Sequence, residues 1–370
     1  MRKFFYILLI LISNCIFSQN NFEINLNADS YENDSLILGA ASTRRGWGDL
    51  YTFTVQSDKN ITVFPTDHSL YTIRIKKENL IKGFTEYPQP VAFTYLDKKN
   101  KSFSVSKTFF IEKGKHRIEL PTFNNQTEIN IDSPTNRDFK NLQKALSTVY
   151  IKSTDPQKID SLTNFDEKQK LLVQYIKKNP DSYAALWEIV NDYRLYNFHS
   201  IYLENMKFFS PSIKKNTLYK KLVNKLLTEQ KTLTGNNIPD IYFDKSNKLT
   251  AEDFKNHKLT FIDYWATSCA PCVKGMPEIV NLYHEFKDKG VQFITVTDEQ
   301  KPERIKLAQT ILQKNNATWL NFFDTNKDFQ KKLNVSGYPM HLLIDENGKI
   351  LARIMGDLSE VRNKITEYVK

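Results

Sequence analysis

Cys269-Ala270-Pro271-Cys272 lies between an apolar run, Phe261-Ile-Asp-Tyr-Trp-Ala, and a helix-like pattern beginning at Val273. No other feature limits the fold as strongly. A strand that delivers a thiol to the start of a helix puts that sulfur among free backbone N–H groups. There the helix dipole favours the thiolate, the species that attacks a disulfide. A second thiol one turn further on can close a disulfide with the first and reopen it. The same spacing is half of a zinc site, which needs four ligands. The chain holds three cysteines, and the third, Cys15, lies in the N-terminal apolar run. Its six histidines (His68, His116, His199, His257, His284 and His341) contain no H-x-x-x-H pair. Zinc is therefore disfavoured. An inert structural disulfide is the other alternative, and the flanks of the motif favour redox chemistry over it. The dithiol is itself the redox group, so the reading calls for no metal and no cofactor.

A length of 370 residues suggests two or three domains. The net charge is +10. The basic residues are spread as pairs among acids, such as Lys76-Lys77, Lys98-Lys99 and Lys220-Lys221, with no basic stripe. Nucleic acid is not an expected partner.

Residues 1–18 have the pattern of a secretory signal: Arg2 and Lys3, then an apolar run, then Ser18 as the residue before a cut at Gln19. The run is too short to span a membrane comfortably. The alternative is a lipid anchor on Cys15 after Leu11-Ile-Ser-Asn. Either route leaves Cys269 and Cys272 as the only free thiol pair, which suits a catalytic disulfide better than a staple. The expected location is the periplasm or cell envelope.

Residues 19–133 read as a small all-β, sandwich-like domain. Short alternating runs recur, including Phe22–Leu26, Leu50–Val55, Leu70–Ile75 and Val91–Leu96. Phe109–Leu120 reads as a closing hairpin. Arg44-Arg45-Gly-Trp47-Gly is a basic-aromatic loop, more simply a turn with a packing Trp than a binding loop. Residues 134–235 read as an α-helical region. Phe139, Leu142, Leu146 and Val149 recur at helical spacing, as do Leu171, Leu172, Tyr175 and Ile176. Asp181-Ser starts another helix, and Ser210-Pro211 opens a helix expected to run through Leu226.

Residues 236–370 alternate strand and helix. The expected elements are strands over 259–265, 291–297, 340–345 and 349–355, with helices over 276–289, 302–314 and 358–369. This alternation predicts one sheet with helices on both faces.

Phe261-Ile-Asp-Tyr-Trp-Ala-Thr-Ser-Cys-Ala-Pro-Cys272 resembles the active-site segment of the thioredoxin superfamily. Val335-Ser-Gly-Tyr-Pro-Met-His-Leu-Leu-Ile-Asp-Glu-Asn-Gly348 resembles its second signature, a proline segment followed by a strand and a hairpin. With the signal-like start and an extra strand and helix, the C-terminal part resembles the TlpA/ResA-like branch of exported, reductive thiol-disulfide oxidoreductases. The upstream regions are similar to those of two-module envelope members. The resemblance implies a thioredoxin fold, with Cys269 as nucleophile and Cys272 as resolving cysteine. It also implies a cis peptide bond at Tyr338-Pro339 facing the disulfide. Trp265, Tyr338 and Pro339 would then contact a disulfide-bearing protein substrate, whose extended backbone pairs as an added strand. A membrane electron donor would restore the dithiol.

Three positions depart from that pattern. Ser268 stands where Trp usually precedes the first cysteine. Gly275 stands where many ResA-like members carry an acid. Asp263, six residues before Cys269, matches the buried aspartate of thioredoxin proper. A desolvated carboxyl beneath the disulfide is suited to take the proton of Cys272. The rival readings are an envelope adaptor that uses the fold as a scaffold and a peroxiredoxin-type peroxidase. The intact cysteine pair argues against the first. The second needs T-x-x-C, and Ala266 stands at the Thr position.

Overall fold

A computed structural model describes residues 20–28, 31, 34–41, 50–64, 67–97, 102–123, 126–151, 161–335 and 337–369. The signal-like segment, Cys15 and the Arg44–Gly48 loop lie outside the described residues.

The N-terminal strands are β1 (Phe22–Asn27), β2 (Ser35–Ala40), β3 (Thr54–Val55), β4 (Ile61–Phe64), β5 (Asp67–Arg74), β6 (Glu78–Phe84), β7 (Gln89–Asp97), β8 (Ser102–Val105), β9 (Phe109–Ile111) and β10 (Gly114–Glu119). They form two sheets, β10-β1-β6-β3 and β4-β5-β2-β7-β8, with β9 also pairing β7. Alternation decides the inward faces. Phe22, Ile24 and Leu26 of one sheet share a core with Leu36, Leu38, Ile73, Val91 and Phe93 of the other. The expected sandwich is present.

The expected hairpin over 109–120 is not. β9 pairs antiparallel with β7, whereas β10 runs parallel to β1. Asn136 occupies the backbone groups a hairpin partner would need. Its amide accepts from Phe110 N (2.9 Å) and donates to Phe110 O (2.8 Å). Gly114, at φ 122°, then turns the chain into β10.

The helical region comprises α1 (Pro134–Leu146), two-residue strands β11 (Tyr150–Ile151) and β12 (Ser161–Leu162), α2 (Phe165–Lys178), α3 (Tyr183–Tyr196), α4 (Ile201–Met206), α5 (Pro211–Lys215) and α6 (Thr217–Lys231). Asn164 and Ser182 cap α2 and α3 by accepting from Glu167 N and Ala185 N. The single helix expected from Ser210 is two. Asn216 adopts extended backbone (φ −69°, ψ 147°), and its side chain caps α6 by accepting from Leu218 N. By packing, the described residues fall into two compact units, and the division passes between Lys140 and Asn141, within α1.

The second unit also contains the C-terminal α/β sheet. Its elements are β13 (Ile241–Tyr242), β14 (Lys248–Leu249), β15 (Leu259–Trp265), α7 (Ala270–Phe286), β16 (Val291–Thr297), α8 (Pro302–Lys314), β17 (Leu320–Phe323), α9 (Asp328–Lys332), β18 (Met340–Asp345), β19 (Ile350–Met355) and α10 (Leu358–Tyr368). The main sheet runs β17-β16-β15-β18-β19, with β15, β16 and β17 parallel and β18 and β19 antiparallel to their neighbours. Every residue of β15 is buried. Leu259, Phe261 and Trp265 face a layer built from α7, α8 and α10. Ile262 and Tyr264 face the opposite layer with Ile294, Val296 and Phe329. Helix α7 begins at Ala270 and not at Met276. Gly275 and Pro277 mask its early turns in the sequence pattern.

Candidate redox site

Strand β15 ends at Trp265, and a short turn returns Cys269 N to Ala266 O at 3.0 Å. Cys269 is the N-cap of α7, with extended backbone (φ −89°, ψ 95°). Its Sγ accepts from Cys272 N at 3.2 Å, so a free backbone donor of the first helical turn points at this sulfur. Cys269 and Cys272 are joined in a disulfide with their Cα atoms 5.3 Å apart. Both are nearly buried, at 6% and 4% exposure. Ser268, Ala270 and Pro271 around them are exposed. Small side chains thus flank the pair on its exposed side.

The turn is fixed by residues that local sequence reasoning missed. Asp298 N donates to Trp265 O at 2.8 Å. Glu299 accepts from Thr267 N at 2.9 Å and from its hydroxyl. The Tyr338 hydroxyl donates to the Asp298 carboxylate. One dipeptide at the end of β16 therefore ties the cysteine turn and the residue before Pro339 to the same end of the sheet. Asp298 and Glu299 are themselves buried. Their only signal in sequence is an acidic pair following a buried strand, and that pattern is common in surface turns.

The Tyr338-Pro339 peptide bond is cis, as the resemblance implied. Tyr338 is half-buried and stacks on Tyr264 with ring centroids 5.6 Å apart. Trp265 lies elsewhere than the sequence reading placed it. It is fully buried, in the same apolar cluster as the two cysteines. As arranged, its ring packs the site and does not offer a substrate surface.

Asp263 is 1% exposed and sits directly across from His341 in the β15–β18 register. His341, also 1% exposed, places Nδ1 at 3.2 Å from Asp263 Oδ1. Strand alternation puts this pair on the sheet face that carries Trp265 and the cysteine cluster. The two side chains approach closely without an aligned hydrogen bond. On the other face, burial pushes the Asp324 carboxyl up, while the backbone N–H groups of Gln330 and Phe329 oppose that shift. Asp324 accepts from Tyr264 Oη at 3.1 Å, and burial pushes the Tyr264 phenol up as well.

The family described as Redoxin matches residues 233–369. The thiol-disulfide oxidoreductase ResA of Bacillus cereus is 28% identical over 156 residues, covering 42% of this chain and 85% of that protein. ResA of Bacillus subtilis is 28% identical over 131 residues, covering 34% of this chain and 69% of its own length. Among solved structures, a thiol:disulfide interchange protein from Bacteroides sp. is 27% identical with a TM-score of 0.32, covering 38% of this chain and 91% of that one. The thioredoxin domain of a thiol-disulfide oxidoreductase from Bacteroides vulgatus is 26% identical with a TM-score of 0.32, covering 37% and 99%. On the matched family, the ResA similarity and a disulfide seated at a helix start, residues 233–369 of this chain belong to the TlpA/ResA-like thioredoxin family, as a thioredoxin-like thiol-disulfide oxidoreductase domain.

Proposed function

We propose that this chain is an extracytoplasmic oxidoreductase that reduces protein disulfides through Cys269 and Cys272. The observation that carries the reading is Cys269 at the N-cap of α7 with its sulfur accepting Cys272 N. This geometry favours the thiolate of Cys269 over that of Cys272 in the reduced protein. The Cys269 thiolate attacks one sulfur of a substrate disulfide, forms a mixed disulfide, and expels the other sulfur as a thiolate that takes up a proton. Cys272 loses its proton to Asp263 and attacks Cys269 Sγ. The substrate leaves as a dithiol, and two electrons have passed from the protein, which now holds the 269–272 disulfide. A dithiol donor in the membrane returns them. Tyr338 and Pro339 offer the backbone on which an extended substrate is laid, beside exposed Ser268 and Ala270.

In the same reading, the β domain (19–133) and the helical region (134–235) carry the catalytic domain (236–370) in the cell envelope. The exported chain begins at Gln19 or at lipidated Cys15, and the intact mass of the purified protein distinguishes the two. A trapping experiment tests the chemistry. Reduced Cys272→Ser protein mixed with a disulfide-bearing protein such as insulin should accumulate a mixed disulfide on Cys269. Cys269→Ser protein should accumulate none. Absence of the adduct from Cys272→Ser protein would remove Cys269 as the nucleophile.

A further inference from the structure

Asn334 follows α9 and stands four positions before Tyr338, on the stretch that leads into Pro339. Its backbone is left-handed (φ 48°), a conformation that asparagine tolerates better than most residues. The helical region grips its side chain. Asn334 Nδ2 donates to Tyr193 Oη of α3 at 2.5 Å and to Glu229 Oε2 of α6 at 2.9 Å. The Tyr193 hydroxyl in turn donates to Glu229. From the sheet, Arg353 Nη2 of β19 donates to Asn334 O at 3.3 Å.

Tyr193 is buried, and Asn334, Glu229 and Arg353 are half-buried. Tyr193 is 4% exposed, and burial pushes its phenol up, with the Glu229 charge adding to the shift. Burial pushes the Arg353 guanidinium down, against the Glu229 charge. Burying polar groups is costly unless they pair, and a paired network in low dielectric holds its members in one arrangement. This network joins two helices outside the Redoxin match to the one loop of the domain that precedes Pro339. Nothing in the disulfide chemistry requires it.

We propose that α3 and α6 act through Asn334 to set the position of the Tyr338-Pro339 backbone for pairing with a protein substrate. Asn334, Tyr193 and Glu229 are then positioning residues, and the helical region contributes to selection of protein over small disulfides. The proposal rests on the reading of the domain as a protein-disulfide reductase.

The test uses the full mature chain, pre-reduced, against insulin and against hydroxyethyl disulfide, which is too small to pair with the loop. Asn334→Gly keeps the left-handed backbone and removes only the clamp, and Tyr193→Phe removes only the hydroxyl. Each should raise KM for insulin, by about tenfold for Asn334→Gly, since the freed loop must then be ordered when substrate binds. The rate with hydroxyethyl disulfide and the reduction potential should stay at wild-type values, and both variants should remain folded with a lowered thermal midpoint, as the loss of buried hydrogen bonds implies. KM for insulin unchanged in both variants, or equal losses on both substrates, would overturn the proposal while leaving the reductase reading intact. A wild-type chain that reduces hydroxyethyl disulfide but not insulin would overturn both.

Discussion

Asp263 is 1% exposed and has no aligned donor from the protein, and burying an idle carboxyl is costly. Its place on the cysteine-bearing face of β15 fits the proposed role, as acceptor of the Cys272 proton. Asp263→Asn should slow resolution of the mixed disulfide at pH 7 by about tenfold, close to 1.4 kcal/mol of barrier. Attack by Cys269 should keep its rate. Rapid-quench analysis of a preformed mixed disulfide separates the steps, and an unchanged resolution rate would leave Asp263 a purely structural group. Cys269, Cys272 and Pro339 were legible because each sits in a local motif. The buried place of Asp263 was legible by its spacing from the motif, whereas that of His341 was not, because only the β15–β18 register brings it opposite. Asp298 and Glu299 act on a turn about thirty residues upstream, a separation that no local pattern encodes. Trp265 was misplaced for a related reason. On a strand buried on both faces, alternation does not distinguish a wall from a surface.

The packing between α2 and α3 has its own electrostatics. Lys168 is fully buried, pairing with Glu188 at 2.5 Å and with Asp192. Gln169 also donates to Asp192. Burial, then the charge of Glu188, pushes the Asp192 carboxyl up to about 6, against the pull of Lys168. Its folded value thus lies above the ordinary 3.8, and the folded state binds this proton more tightly than the unfolded chain does. The resulting stabilisation is complete below 3.8 and is lost as pH rises to about 6. Unfolding of the helical region, followed by circular dichroism across that window, should show stability falling with pH. Asp192→Asn should flatten the slope, and an equally steep slope in the variant would contradict the assignment. In sequence, Lys168 reads as one more surface lysine in a basic helix. The β9–β10 hairpin misled for the opposite reason, since two apolar runs flank a glycine but Asn136 takes the backbone groups of β9.

At the scale of the whole chain, the legible part is the C-terminal domain, where strand, helix and motif all point to one fold. The strands over 259–265, 291–297 and 340–345 lie where periodicity placed them. The short β17 and α9 escaped because neither is long enough to show a period. The N-terminal sandwich was legible as a class but not as a topology, since the parallel pairing of β1 with β10 joins residues far apart in sequence. The known similarity covers less than half of the chain. On the proposal above, the Asn334 network gives the helical region a part in positioning the loop before Pro339.

The direction of electron flow depends on the reduction potential of the Cys269–Cys272 couple. It is measured on the mature protein equilibrated with dithiothreitol or glutathione buffers and read by thiol alkylation. We expect a reversible two-electron couple at or below about −270 mV, the range of thioredoxin. A potential near about −120 mV, that of a strong disulfide-forming oxidant, or no reversible couple at all, would contradict the account.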